Sequence, residues 1–457
     1  MGYLTYCAKV LQIQKCVRPH SGSNAYKSVL RSYFKFTFIQ GDSYMSTIKQ
    51  VSSGRFARVL CAAALSTLSL GYASDSFAGA TFKIDDTKWV SVGAGLRTDF
   101  RAQEEAAPNG NTWSNDFKLD SVRLYVNGQI HKYLKVEFNT ECQACGNGGE
   151  ISVLDAIGKF EVTPMANLWV GRMLVPAERR EMNGPYYSGV YNIFANGTPF
   201  EPSDNANTIN DKGTSAGSRG RDDGATFWGA AFDGRFQYAV GFFRGLRGGV
   251  NSSDNLLYAQ RFAYNFWSVE KNPGYYTSGT YFGKGGDILT VAVSNQYQEG
   301  GAGNLSYQDK DNITIPSTWG NFRGTTVDVL MEKVLGNGGV VTLNGEYKNY
   351  GVSGGTGNYN PKYAGFSMFE GNAYDVNGMY LFPQKIWVGQ AQPFVRYVNA
   401  AATHGVTRDV YEAGVNYVID GHNAKVSLGW QYGDLLPNAT AASNRLNAMT
   451  LGFQWQI

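Results

Sequence analysis

The sequence predicts an all-β protein: a transmembrane antiparallel β-barrel of about sixteen strands with a long loop that folds inward. First, apolar and polar side chains alternate with a period of two through most of the chain after residue 80. Second, the alternating segments are about ten residues or longer, the length that a tilted membrane strand needs. Third, tight turns and long loops alternate between the segments. The composition agrees, because 56 glycines, 29 tyrosines and 26 phenylalanines accompany only 13 prolines.

Period-two alternation alone would also fit a soluble sandwich with a dry apolar core. The segments are about twice as long as ordinary globular strands, which favours the membrane barrel. They span 88–102, 117–130, 134–142, 150–161, 167–175, 224–233, 235–244, 256–267, 287–298, 322–334, 339–350, 372–382, 389–400, 407–419, 424–433 and 445–457.

The connections predict that one end of the barrel carries short turns, and we call it the trimmed end. Those after even-numbered strands are mostly tight, whereas those after odd-numbered strands include 176–223, 299–321 and 351–371. Residues 268–286 break this pattern, because they form a long link on the trimmed side. Either a short segment folds inward there or an additional strand pair is present.

The final strand has one apolar and one polar face. Its register predicts that it closes the barrel against the first strand, near Trp89 to Ala102, with its apolar face toward lipid. The apolar parity comprises Met449, Leu451, Phe453, Trp455 and Ile457, and the polar parity comprises Thr450, Gly452, Gln454 and Gln456.

The N-terminal region resembles a secretory signal that begins at Met45. Lys49, Arg55 and Arg58 precede a short apolar run, and Ala78-Gly79-Ala80 offers a cleavage site. We therefore expect residues 1–44 to be a non-native extension, residues 45–80 a signal peptide, and residues 81–457 the barrel. A transmembrane anchor is the alternative, but the apolar run is short for one. Export of this kind predicts the outer membrane of a Gram-negative bacterium.

A closed barrel of about sixteen strands is too wide for side chains to fill, so an aqueous lumen is expected. Charges on the predicted inward parity are candidates for the lumen wall, and charges around the long loop 176–223 are candidates for a constriction or anion-binding site. A solvated surface loop is the alternative for 176–223. The wall candidates are Arg97, Arg123, Lys135 and Arg396; the constriction candidates are Arg172, Arg179, Arg180, Lys212, Arg219 and Arg221.

Three stretches resemble the phosphate-selective porin O and P family. They are "VLDAIGKFEVTPMANLWVGRMLVP" at 153–176, "DDGATFWGAAFDGRFQYAVGFFRG" at 222–245 and "AQRFAYNFW" at 259–267. The resemblance implies a sixteen-stranded outer-membrane porin, usually a homotrimer, with an inward-folded third loop. Phosphate-selective members carry an arginine ladder, and no full ladder aligns with numbered positions of this chain.

The stretch "ECQACGN" contains Cys142 and Cys145. The residue after the second cysteine is Gly146 rather than histidine, which excludes c-type haem attachment on this motif. A local disulfide is the favoured interpretation in an oxidising compartment. Redox chemistry and unpaired cysteines are the alternatives. No metal site and no cofactor are expected.

The expected function is an outer-membrane channel for passive diffusion of small hydrophilic solutes or ions, with anion or phosphate preference as the finer expectation. Membrane lipid and small solutes or inorganic anions are the expected partners. Nucleic acid is not, because the barrel region lacks a dense basic face. No enzyme is expected, since H-E-x-x-H does not occur and the scattered carboxylates are those of any polar lumen. A sheath barrel around an electron-carrier protein and a barrel hydrolase with a rim Ser/His pair are the alternatives, and a sheath would need an unobstructed lumen.

Overall fold

A computed structural model describes residues 79–142, 150–194, 220–246, 251–304, 307–308, 314–315, 318–353, 371–402, 407–435 and 445–457. These residues belong to one compact unit, Ser74–Ile457. The predicted extension 1–44 and nearly all of the predicted signal peptide 45–80 lie outside the described residues.

Sixteen long antiparallel strands form the barrel, which confirms the predicted fold class, and each predicted segment overlaps one of them. They are β1 Trp89–Gln103, β2 Ser114–His131, β3 Leu134–Cys142, β4 Ile151–Thr163, β5 Ala166–Leu174, β6 Arg221–Ala231, β7 Phe236–Phe243, β8 Leu257–Asn265, β9 Ile288–Asn304, β10 Thr318–Val334, β11 Val340–Ser353, β12 Gly371–Leu381, β13 Gly389–Ala402, β14 Thr407–Asp420, β15 Ala424–Gly433 and β16 Leu446–Gln456. Among the described residues, short strands also occur at Ala80–Lys83, Tyr307–Gln308, Thr314–Ile315 and Lys385–Ile386, and one short helix, α1, spans Arg179–Asn183.

The first and last long strands close the barrel, as the C-terminal pattern predicts. Leu96 of β1 pairs with Trp455 of β16, and the pairing continues along both strands. Beyond this ladder, the backbone N–H groups of Ala94 and Ile457 each donate to the other residue's carbonyl at 2.9 Å. Closure matters because a strand edge left open in hydrocarbon would carry backbone groups that nothing could satisfy.

The two faces of the strands have opposite polarity. On the outer face, Val395 is 63% exposed and Leu428 is 50% exposed. Their chain neighbours Arg396 and Ser427, on the inner face, are at most 3% exposed. An apolar exterior around a polar interior is the reverse of the arrangement in a water-soluble protein, and it matches a barrel surrounded by lipid. Within the described ranges, no helix has the length and apolar character required to cross a membrane.

The connections on the trimmed side are short, with one exception. The β2–β3 and β4–β5 turns are residues 132–133 and 164–165, and the β14–β15 turn is 421–423. The β8–β9 connection instead runs through residues 266–287, and Ser278 and Thr280 within it are buried. Of the two possibilities raised by the sequence, an inward-folded segment is the one observed. We call residues 266–287 the inward turn.

The outer face yields a stability prediction. Leu428→Arg places a charge on the lipid side of β15 and should reduce the free energy of unfolding by about 2–4 kcal/mol if the site lies near the bilayer midplane. Leu428→Phe, the matched control, keeps the site apolar and should change it little. Urea unfolding in lipid vesicles measures both, and equal stability of the two variants would contradict the assignment of this face to lipid.

Candidate functional site

A loop between β5 and β6 folds into the barrel. Most of its described part is residues 175–194, which are buried except at Tyr187, Asn192 and Phe194, where the side chains are partly exposed. We call residues 175–194 the inward loop; its only helix is α1. This observation favours the predicted inward fold over the solvated-loop alternative for that part of the chain.

Apolar packing fixes the inward loop at two places. Met182 joins a cluster that contains the inward-facing wall residues Trp169 and Met173. Further along, Val190 and Ile193 pack with Met379 and Phe394 of the wall. The lumen therefore contains small apolar cores of its own, in addition to its polar wall.

Wall side chains satisfy the backbone of the inward loop. Arg97 donates to the carbonyl of Tyr191 at 2.6 Å, and Lys425 donates to the carbonyl of Ser188 at 2.6 Å. A loop enclosed by protein needs such partners, because a buried carbonyl without a hydrogen bond is costly. Other donors to the loop's carbonyls are Gln296 to Pro176, Arg261 to Ala177, Gln454 to Tyr186, Asn416 to Gly189, and Arg396 to both Asn192 and Ile193.

Arg179 of the inward loop is held by carboxylates on two sides. Its guanidinium forms two hydrogen bonds with Glu270 of the inward turn, at 2.7 and 2.8 Å, and an ion pair with Asp328 of β10 at 3.4 Å. Burial alone would raise the pKa of Glu270, but the adjacent Arg179 charge lowers that pKa to about 2. Burial opposes the charge of Arg179, and Glu270 and Asp328 overcome it, so the pKa of Arg179 lies above its ordinary value.

Arg180 is inserted into a second group of carboxylates, on the strands that follow β10 in the wall. It pairs with Glu346 of β11 at 2.6 Å and with Asp375 of β12 at 2.7 Å. Arg396 of β13 shares Asp375 at 2.6 Å and contacts Glu412 at 3.3 Å. Both loop arginines thus lie inside the barrel, and each is paired with two carboxylates.

The other wall candidates are also engaged with neighbours. Arg123 pairs with Glu141 at 2.5 Å and lies 4.7 Å from the ring centroid of Tyr186, and Arg97 lies 4.1 Å from that of Tyr191. Such cation–π contacts are strengthened where water is excluded. Lys135 forms a partly exposed pair with Glu161 at 2.6 Å.

The remaining constriction candidates do not join the loop arginines. Arg221, the first residue of β6, forms hydrogen bonds with Asp155 of β4 at 2.7 and 3.2 Å. Arg172 has the outward parity of Leu168 and Val170, and it pairs with Asp223 at 3.2 Å. Lys212 and Arg219 lie outside the described residues.

The inward turn approaches the loop from the trimmed end of the barrel. The hydroxyl of Thr277 donates to the carbonyl of Arg179 at 2.8 Å, and the N–H of Gly279 donates to the carbonyl of Tyr187 at 2.8 Å. This contact was not predicted from the sequence. In the sequence, only the unusual length of the β8–β9 connection indicated that this segment folds inward.

A cavity of about 440 Å³ remains beside these two elements. It runs from the short-turn residues Asp420 and His422, along Asn139 in the wall, to Leu174 and Arg221 at the long-loop ends of β5 and β6. Because it extends between the two ends of the strands, it marks the candidate permeation path.

One Ser/His contact bears on the hydrolase alternative. The hydroxyl of Ser278 lies 3.0 Å from Nε2 of His422, which is also 2.9 Å from the carbonyl oxygen of Thr280. A carbonyl only accepts hydrogen bonds, so Nε2 carries the proton and cannot take one from the serine. Burial also lowers the pKa of His422 to about 3, which makes it a weak general base. This pair is therefore structural.

The expected disulfide falls at the edge of the described chain. Cys142 is disulfide-bonded, and Cys145 lies outside the described residues. Within the ranges that the structure covers, no group of three or more histidine, cysteine, aspartate or glutamate side chains is arranged to hold a metal ion.

Comparisons with known proteins identify the fold class alone. No protein-family model and no curated protein sequence matches the chain. A loop L8 deletion mutant of OmpT, an outer membrane protein of Vibrio cholerae, aligns over 81% of this chain and 100% of its own at 15% identity, with a TM-score of 0.50. A trimer form of in-vitro folded OmpT aligns over 81% and 100% at 14% identity, with a TM-score of 0.50.

An anion-selective porin from Comamonas acidovorans aligns over 81% of this chain and 100% of its own, at 11% identity and a TM-score of 0.48. The sequence identity is too low for that porin's anion selectivity to be assigned to this chain. The chain has the barrel fold of bacterial outer-membrane proteins, and its likeness to the phosphate-selective porin O and P family remains a resemblance in sequence motifs.

The paired charges in the lumen predict a large effect on stability. Arg396→Met should reduce the free energy of unfolding by about 3–5 kcal/mol, because it removes the cation that pairs with buried Glu412 and that shares Asp375 with Arg180. It also removes the donor to two loop carbonyls. The control is Lys88→Met, which breaks an exposed pair with Asp85 and should have little effect. Similar losses in both variants, measured by urea unfolding, would contradict this role for Arg396.

The Arg179–Glu270 pair predicts a pH dependence. A carboxyl whose pKa is about 2 in the folded protein, against an ordinary value of 4.5, stabilises the fold fully only above about pH 4.5. The contribution is lost progressively as the pH falls toward 2. The stability difference between wild type and Glu270→Gln should therefore shrink over this interval. A difference that stays constant from pH 6 to about 2 would be inconsistent with the pairing.

Proposed function

We propose that the protein is a channel in the outer membrane of a Gram-negative bacterium through which small hydrophilic solutes or ions diffuse passively. The observation that carries the proposal is a closed sixteen-stranded barrel with an apolar exterior, a polar interior and a loop that narrows the lumen. A barrel of this width surrounds more space than its own wall side chains can fill. In this chain, a loop, a turn and a cavity share that space.

The charges favour a passage with weak ion selectivity. Arg179 and Arg180 are the residues expected to attract anions, but each is paired with two carboxylates. Their positive fields are therefore largely cancelled close to the loop. Anion or phosphate preference remains the finer hypothesis, and its remaining candidates are Lys212 and Arg219, outside the described residues.

The alternatives have less support. A sheath around another protein needs an empty lumen, whereas the inward loop and inward turn meet across this one. The buried Ser278–His422 pair lacks the proton arrangement of a hydrolase. We accordingly propose a non-enzymatic channel without a cofactor, surrounded by lipid and assembled as a homotrimer. The trimer rests on the sequence resemblance.

Planar-bilayer recording of the purified protein tests the proposal. Discrete openings in KCl are expected, with a reversal potential near zero in a salt gradient because the loop arginines are neutralised. A strongly anion-favouring potential, or block by added phosphate, would instead support the finer hypothesis. A protein that inserts and never conducts would refute the channel.

A further inference from the structure

We propose that the inward turn, residues 266–287, sets the size limit of the passage, with the inward loop as the surface against which it closes. The inference rests on the proposed channel function. It assigns the main determinant of solute size to a connection on the trimmed end of the barrel.

The length of the inward turn is not needed to close the barrel. The N–H of Phe266 donates to the carbonyl of Leu289 at 2.7 Å, and the N–H of Ser268 donates to the carbonyl of Asp287 at 2.9 Å. The β8–β9 ladder thus continues to the pair formed by Ser268 and Asp287. A two-residue turn could join the chain at that point, as in ordinary hairpins. Residues 269–286 are additional chain, and they fold into the lumen.

Aromatic packing fixes the inward turn to the wall. The ring of Trp169, on the inner face of β5, lies 5.3 Å from that of Tyr275 and 5.5 Å from that of Tyr276. Gly274 has φ 59°, and a Cβ atom there would lie 2.2 Å from the Trp169 ring. Glycine is required at this position both for its backbone conformation and for the close approach. These contacts hold the inward turn in a defined position inside the lumen.

A carboxylate on the neighbouring strand β10 holds the other half of the turn. Glu332 of β10 accepts hydrogen bonds from the backbone N–H groups of Tyr281 and Gly283, at 2.9 and 2.7 Å, and from the hydroxyl of Thr280 at 2.8 Å. Bonds to a charged acceptor are stronger than bonds between neutral groups. The turn is therefore tied to β5 on one side of its own hairpin and to β10 on the other, and the carbonyl of Thr280 also contacts His422 of the β14–β15 turn.

The candidate permeation path lies directly against this element. More of the residues that line the 440 Å³ cavity come from the inward turn than from the inward loop. Val269, Pro273, Tyr276 and Phe282 are among them. Removing the turn would widen the cavity while leaving the wall contacts of the loop in place, apart from the contacts that the turn itself makes with the loop.

The decisive variant replaces residues 269–286 with Asn-Gly, so that Ser268 and Asp287 are joined by a tight hairpin turn. A milder variant, Glu332→Ala, removes the wall anchor alone. The control is Asp85→Ala, which removes a carboxylate that caps the backbone N–H groups of Thr87 and Lys88 in a turn outside the lumen. Circular dichroism and heat-dependent mobility on gels establish that each variant forms the barrel.

Single-channel conductance in KCl and liposome swelling with sugars of increasing size are the measurements. The Asn-Gly variant should conduct severalfold more than wild type and admit larger sugars, Glu332→Ala should change both in the same direction, and Asp85→Ala should match wild type. If the truncated chain does not fold, Glu332→Ala alone decides.

Two results would overturn the inference in different ways. If the wild type conducts and the folded variants have the same conductance and size limit, the inward turn does not limit passage while the channel function stands. If neither wild type nor any folded variant conducts, the channel function is wrong and the inference falls with it.

Discussion

The need to satisfy every buried backbone group governs this structure at two levels. In the wall, strands surrounded by lipid have no water to bond with, so the sheet closes through the pairing of β1 with β16. Inside the barrel, the inward loop has no sheet to join. Its carbonyls are satisfied by wall side chains such as Lys425 and Arg396, which extend from the inner face of the strands.

Charge pairing then determines where the loop can sit. Arg179 and Arg180 are adjacent in the chain but bond to different carboxylates. Arg179 pairs with Glu270 of the inward turn and Asp328 of β10, and Arg180 pairs with Glu346 and Asp375 of the two strands that follow. A shift of the loop would leave these buried charges without partners, which costs far more than the loss of an exposed pair. The ion pairs therefore specify the position of the loop, even where their net contribution to stability is modest.

The strands could be predicted from the sequence because alternation is a local property. The partners of the lumen charges could not, because Arg179 and Glu270 are 91 residues apart and only the closed barrel brings them together. The position of Arg172, by contrast, can be predicted from the sequence. It shares the parity of Leu168 and Val170, which indicates the outer face and not the lumen. The sequence also carries a signal for packing inside the barrel, because Trp169 and Met173 are large apolar residues on the inner parity of β5, where other strands carry polar residues.

Polar residues on the inner parity therefore do not simply face water. Gln454 has no exposed surface, and its amide nitrogen donates to the carbonyls of Tyr186 in the inward loop and His422 in a short turn. In a water-filled lumen, such a residue could be exchanged for other polar residues at little cost. Here it belongs to a protein-filled interior with specific partners. Because the contacts that narrow the lumen are the same contacts that satisfy buried groups, the width of the lumen and the stability of the fold cannot vary independently.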